Sequence, residues 1–232
     1  LVSTLGLGVV LLHNLHTGFI AAARLHVLAT HLHVAIVGWA LIMMVGVSHR
    51  LLPMFLLAHG ADTRWTKRAI TCLAIGVPLL AVGLNTQFGW VAWVAVALFE
   101  IGVACFLLQA YSFYRVRVRK RIDIGMRFAG SALSFLVIAA LLGPVVLALG
   151  VSAPRIASVY VLLGLLGGVV LFVVGFFYKI VPLLAWTVRY RDRMGKSTVP
   201  TVAEMYSGRA AALQLGVMIT ALAALAASIV AG

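Results

Sequence analysis

Residues 157–178 read ASVYVLLGLLGGVVLFVVGFFY, an uninterrupted run of uncharged and mostly apolar side chains. A helix needs about 20 such residues to cross the hydrocarbon layer of a bilayer, whereas a strand of a membrane barrel needs only about ten. The run is therefore too long for a barrel strand, and it predicts a membrane-spanning helix.

The composition of the whole chain supports the same fold class. Of its 232 residues, 64% are hydrophobic and only 10% are charged, against about 25% charged residues in an ordinary soluble domain. These values exclude a soluble globular enzyme and a disordered chain. We predict an all-α, polytopic transmembrane helix bundle that forms a single transmembrane domain over residues 1–232.

Seven apolar runs are long enough to be spans in this reading. Because the chain starts at Leu1 and is apolar at both ends, we also expect it to be a fragment of a longer protein. The predicted spans are about 1–23, 27–56, 69–85, 90–113, 128–150, 157–186 and 210–231.

Basic residues predict how the spans are oriented. The chain has 18 Lys and Arg against 5 Asp and Glu, a formal net charge of +13. The basic residues concentrate in the connections 58–68, 114–127 and 187–209, while the opposite connections carry only Arg24 and Arg155. The positive-inside rule predicts that the three basic loops are cytoplasmic. We expect the membrane to be a bacterial inner membrane. This reading explains the positive charge without a nucleic-acid partner, and we expect none.

A weak internal repeat relates segments 27–57 and 156–186. The first contains GVSHRLLPMF (residues 46–55) and the second contains GFFYKIVPLL (residues 175–184). Both have a basic residue and a proline near the end of a long helix, and we interpret their shared glycines as sites of close helix packing. Four residues recur with the same spacing: Gly38, Gly46, Arg50 and Pro53 correspond to Gly167, Gly175, Lys179 and Pro182.

The two copies of the repeat differ in their histidines. Tyr160 and Leu162 stand in the second copy where the first has His31 and His33. An imidazole inside a membrane is costly and usually functional, and it is a common metal ligand. All seven histidines lie in the first 59 residues: His13, His16, His26, His31, His33, His49 and His59.

Helix geometry sorts the candidates around the H-x-H pair. At about 100° per residue, His31 and His33 project to opposite sides of one helix. They cannot share one small metal ion, but each could bind a separate centre. His26 shares a face with His33 and is a further cofactor-binding candidate.

The other histidines are weaker candidates. His13 and His16 share a face of the first helix, where they could bind a cofactor or make structural hydrogen bonds. His49 and His59 are interpreted as interfacial or solvated side chains. The chain has no C-x-x-C-H motif, so covalently attached haem is not expected.

The H-x-H stretch resembles the tenth helix of the catalytic subunit of haem–copper oxidases. The residues that carry the resemblance are Thr30–Val34, Gly38–Trp39, Gly46 and Arg50–Phe55. In that family the first histidine binds a high-spin haem and the second a low-spin haem. The resemblance therefore implies haem-iron ligation by His31 and by His33, with haem held non-covalently and most simply of the b type.

Two further stretches extend the resemblance. With Ala58–Gly60 added, the first copy is similar to NnrS-type membrane haem proteins, and Tyr178–Trp186 is similar to bacterial proteins resembling oxidase subunit I. The resemblance covers about 30 residues and a second block of about ten. The family's early-helix histidine and three copper-binding histidines have no counterpart in this sequence, so copper is expected only if its ligands lie outside it.

Glu100 is the candidate for proton transfer, because a carboxyl group inside a membrane is usually functional. A structural, hydrogen-bonded glutamate is the alternative. Gln109 lies nine residues further on, on the opposite side of the helix, so the two do not form a single-face relay. No other catalytic residue is assigned.

The resemblance implies a haem-binding membrane electron-transfer protein that reduces oxygen or nitric oxide. Its partners would be the lipid bilayer, other subunits of a membrane redox complex, and a cytochrome or quinone as electron donor. Two alternatives stay open. One is a non-catalytic haem relay or sensor subunit of a larger complex, and the other is a carrier or structural helix bundle.

Overall fold

The computed structural model describes residues 1–20, 23–58, 62–118, 120–194, 196 and 198–232. These residues contain helices and no strand, so the all-α prediction is confirmed. The seven helices are α1 (Val2–Thr17), α2 (Arg24–Leu56), α3 (Arg64–Asn85), α4 (Gly89–Arg115), α5 (Ile124–Leu149), α6 (Pro154–Arg193) and α7 (Gly208–Ala231).

Helices α2 to α7 are each long and apolar enough to span a membrane. The chain is therefore a polytopic helical membrane protein. The prediction of a span over 1–23 is corrected, because α1 has 16 residues, about 24 Å, and ends before Gly18. Gly18 takes a left-handed conformation (φ 66°), and its N–H donates to the carbonyl of Asn14.

Successive long helices run in alternate directions, so their connections fall at two ends of the bundle. We call the end that holds the connections after α2, α4 and α6 the basic end. There the N–H of Val118 donates to the carbonyl of Leu57, and the ammonium of Lys179 donates to Asp123 at 2.5 Å. At the opposite end, the side-chain amide of Asn85 donates to Thr30 Oγ1 at 2.8 Å.

Helices α3 and α4 form the most closely packed pair. A Cβ at Gly76 would lie 2.6 Å from the Phe99 ring, and one at Gly102 would lie 2.9 Å from Leu73. A Cβ at Gly83 would collide with the backbone of Ala92. Glycine fits these three levels because the partner backbone at Gly83, and the side chains of Phe99 and Leu73 at the other two, occupy the space of a Cβ.

The repeat glycines behave differently in the two copies. A Cβ at Gly167 would lie 2.7 Å from Phe135, and one at Gly175 would lie 2.6 Å from the carbonyl of Gly125. In the first copy a Cβ at Gly38 would lie 3.3 Å from Val77, while Gly46 has open space within 4 Å. Close packing explains the glycines of α6 and does not explain Gly46.

Helices α2 and α6 each contain a π-helical stretch in their middle. The stretches are Ile36–Leu41 and Leu163–Val170, and the two contact each other. They include the corresponding glycines Gly38 and Gly167. Such widened turns are frequent at functional sites because they shift side chains relative to a regular helix. Here they border a cavity between the long helices.

Candidate cofactor cavity

A cavity of about 790 Å³ lies among the long helices, in the half of the bundle away from the basic end. Its lining comes from all six long helices and is mostly aliphatic. Ligand sites in proteins commonly have volumes of about 300–1,000 Å³, with few polar groups on apolar walls. The polar side chains that line it are His26, His33, Glu100, Ser158 and Tyr160.

His33 is held in one orientation by its helix and its neighbours. Its Nδ1 lies 2.8 Å from the carbonyl oxygen of Ala29. A carbonyl oxygen only accepts, so Nδ1 carries the proton and Nε2 of the neutral ring carries the lone pair. The ring also stacks on Phe99, with centroids 6.1 Å apart and planes at 6°.

The lone pair of His33 points at the other copy of the repeat. Its Nε2 lies 3.0 Å from the hydroxyl oxygen of Tyr160 on α6. Because Nε2 is the acceptor, the Tyr160 hydroxyl donates this hydrogen bond. The two rings also lie face to face, with centroids 5.7 Å apart and an angle of 26° between planes.

Glu100 lies beside the same tyrosine. A Cβ built on Gly143 of α5 would be 3.7 Å from Glu100 Oε1 and 3.8 Å from Tyr160 Cε2. The carboxyl group and the phenol ring thus border the same glycine. The structure makes Glu100 part of the cavity lining, and its role in proton transfer stays a prediction.

His26 and His33 line the same cavity, as two residues one heptad apart on one helix can. The two are not equivalent, because His26 is exposed and lies two residues after Arg24, the first residue of α2. It belongs to the mouth of the cavity, whereas His33 belongs to its wall.

His31 faces α1 and does not line this cavity. A Cβ at Gly8 would lie 3.4 Å from His31 Cε1, so the imidazole packs against the backbone of α1. Its Nδ1 is buried and has no hydrogen-bond partner within the described residues. The H-x-H pair therefore puts one ring into a large cavity and the other against a helix.

His13 and His16 lie on α1, and both side chains are exposed. The His13 ring contacts Phe19, with centroids 5.6 Å apart, and neither histidine lines the cavity. The buried polar side chain of α1 is Asn14, whose Oδ1 accepts from the N–H of Ile20 at 2.8 Å. The structure does not bring these two histidines to His33.

Two further polar candidates, His49 and Gln109, lie near the basic end. His49 Nδ1 is 3.3 Å from Thr66 Oγ1, and His59 lies outside the described residues. Gln109 is buried, accepts from the N–H of Thr66 at 3.1 Å and donates to the carbonyl of Asp62 at 2.7 Å. Gln109 thus fixes the start of α3.

Sequence reasoning assigned no role to Tyr160, although it contacts His33 directly. The signal for it was present, because Tyr160 is the residue that corresponds to His31 in the repeat. No signal within a single helix could indicate the contact, since His33 and Tyr160 are 127 residues apart in the chain.

The residues that surround the cavity are compatible with a haem. Within the described ranges, no group of three or more His, Cys, Asp or Glu could hold an ion. A haem brings four of its own iron ligands and needs only an axial imidazole, an apolar slot and a polar edge. His33, the aliphatic lining and His26 offer these three features.

Comparisons with protein-family models, with curated proteins and with solved structures found no match for this chain.

Proposed function

We propose that this protein is a haem-binding membrane electron-transfer protein, with a b-type haem in the cavity and His33 as its iron ligand. The observation that carries the proposal is the position of the proton on the His33 ring. Its Nδ1 donates to Ala29, which leaves the Nε2 lone pair at the cavity wall. Metal-binding histidines characteristically donate their other nitrogen in this way, because the bond fixes the ring and raises its basicity.

Each neighbour of the cavity has a part in this proposal. Iron in a haem supplies a reversible one-electron redox centre. The Ala29 carbonyl and the Phe99 ring orient the imidazole, and the aliphatic lining excludes water. His26 is the candidate for the second contact, at the mouth. The resemblance of the H-x-H stretch to haem–copper oxidases supports the same chemistry.

The role of His31 as the ligand of a separate haem stays a prediction. Its neighbour is α1, and the cavity described above lies on the other side of α2. A second haem at His31 would require α1, which packs against His31 at Gly8, to move away from α2. We therefore assign the proposed haem to His33 alone.

The predicted orientation gives the side of the membrane on which the cavity would lie. With the basic end in the cytoplasm of a bacterium, the cavity lies in the periplasmic half of the inner membrane. A cytochrome or a quinone as electron donor, and other subunits of a membrane redox complex as protein partners, are implied by the resemblance to haem–copper oxidases.

A non-catalytic relay or sensor subunit is the second candidate function. It needs only the features named above, which are an axial imidazole from His33 and an apolar cavity. Reduction of oxygen or nitric oxide by this protein would require copper ligands outside this sequence.

The decisive experiment compares two alanine variants. The protein is purified in detergent, incubated with haem and analysed by absorbance, with pyridine haemochrome for haem type and amount. We expect a Soret band in the wild type and in His31→Ala, and its loss in His33→Ala. The two positions share one helix and one residue type, so each controls for the other. A wild type that takes up no haem would overturn the proposal.

A further inference from the structure

The nitrogen that the proposed function gives to iron already has a partner. The Tyr160 hydroxyl donates to His33 Nε2 at 3.0 Å. One lone pair cannot accept this hydrogen bond and bind iron at the same time. The His33–Tyr160 bond must therefore break when His33 binds a metal.

His33 is the fixed member of this pair. Its Nδ1–H bond to Ala29 is 2.8 Å, and Phe99 lies parallel to its ring. Turning the imidazole away would break the first contact and disrupt the second. The hydroxyl of Tyr160 has no second hydrogen bond within the described residues, so the phenol is the group that can change its partner.

A second acceptor borders the same glycine as the tyrosine. Glu100 Oε1 and Tyr160 Cε2 both border Gly143, at 3.7 Å and 3.8 Å from the position of a Cβ there. Glu100 makes no hydrogen bond within the described residues. A carboxyl group accepts a hydrogen bond whether it is ionised or protonated, so this acceptor does not depend on its charge.

We propose that Tyr160 controls access to His33 by exchanging its hydrogen-bond acceptor: it donates to His33 Nε2 in the metal-free protein and to Glu100 once His33 binds iron. This inference rests on the proposed function. No proton leaves in the exchange, because Tyr160 keeps its hydrogen and His33 gives a lone pair. Glu100 is thus a positioning residue for the tyrosine.

The test is the effect of Glu100→Leu on haem affinity in three proteins. Haemin is titrated into the detergent-purified wild type, Tyr160→Phe and Tyr178→Phe, each with and without Glu100→Leu. Tyr178 is the matched control, because its hydroxyl also lies on α6 but donates to Gln214, outside the cavity. Glu100→Gln keeps an acceptor oxygen and serves as the conservative variant.

We expect Glu100→Leu to weaken haemin binding about two- to tenfold in the wild type, as the loss of one hydrogen bond implies. The same loss is expected with Tyr178→Phe, and no loss is expected with Tyr160→Phe, which has no hydroxyl to satisfy. Glu100→Gln should bind like the wild type.

The outcomes separate this inference from the proposed function. If Glu100→Leu has the same effect in all three proteins, or no effect in the wild type, the exchange is overturned and haem binding by His33 stands. If the wild type binds no haemin, the proposed function is overturned and the exchange with it.

Discussion

The two sides of helix α2 give neighbouring histidines different surroundings. On one side, His33 borders a cavity of about 790 Å³ and contacts Tyr160 of α6. On the other side, His31 packs against Gly8 of α1, with its Nδ1 buried and without a hydrogen-bond partner in the described structure. An H-x-H motif therefore predicts that two histidine side chains project from opposite sides of a helix. The helices that pack on each side decide which of the two histidines borders a space large enough for a ligand.

The largest expected effect comes from filling the cavity on the His33 side. Ala140 lines the cavity on α5, and Ala140→Phe would place a ring in it. We expect haemin affinity to fall by about tenfold or more, because overpacking a filled site costs about 1–3 kcal/mol. Spectroscopic titration with haemin measures it.

Gly130→Phe is the control for this change, since Gly130 lies on the same helix with open space within 4 Å. Equal affinity of Ala140→Phe and the wild type would show that haem binds elsewhere.

The next effect concerns the His31 side and should appear in stability. A Cβ at Gly8 already lies 3.4 Å from His31, so Gly8→Leu forces α1 away from α2. We expect the free energy of unfolding to fall by about 1–3 kcal/mol, with haemin affinity unchanged. Thermal unfolding in detergent and haemin titration measure the two quantities.

Gly6→Leu on the same helix meets open space and should leave both unchanged. A loss of haem in Gly8→Leu would instead indicate that the His31 side takes part in binding.

The smallest effect is expected at His26, at the mouth of the cavity. Its side chain is exposed, so His26→Ala removes a contact that is already shared with solvent. We expect haemin affinity to fall by about two- to threefold, in keeping with a weak, solvent-competed contact, and the Soret band to remain. Disappearance of the band would assign iron ligation to His26.

The long apolar runs in the sequence predicted the all-α fold well, because spanning helices follow from such runs alone. Helix ends were harder to predict. Helix α6 continues past residue 186 to Arg193, since arginine is a good helix former and does not end a helix where the apolar run ends. Helix α1 ends early because Gly18 adopts a left-handed conformation.

Only some residues of the candidate site could be predicted from the sequence. His33 and His26 follow from their residue type and spacing, and both line the cavity. Tyr160 and Gly143 do not, because their importance comes from the packing of α5 and α6 against α2. Contacts between helices depend on how they rotate against each other, and a single sequence does not show this.

The three glycine contacts between α3 and α4 limit how a ligand could enter the cavity. The backbones touch at Gly83, and the side chains of Phe99 and Leu73 fill the space beside Gly76 and Gly102, so α3 and α4 leave no gap between them at these three levels. A planar ligand the size of a macrocycle would therefore have to enter between other helices, where α2, α5 or α6 contacts a neighbour. The rate of ligand uptake would then depend on how readily those helices separate.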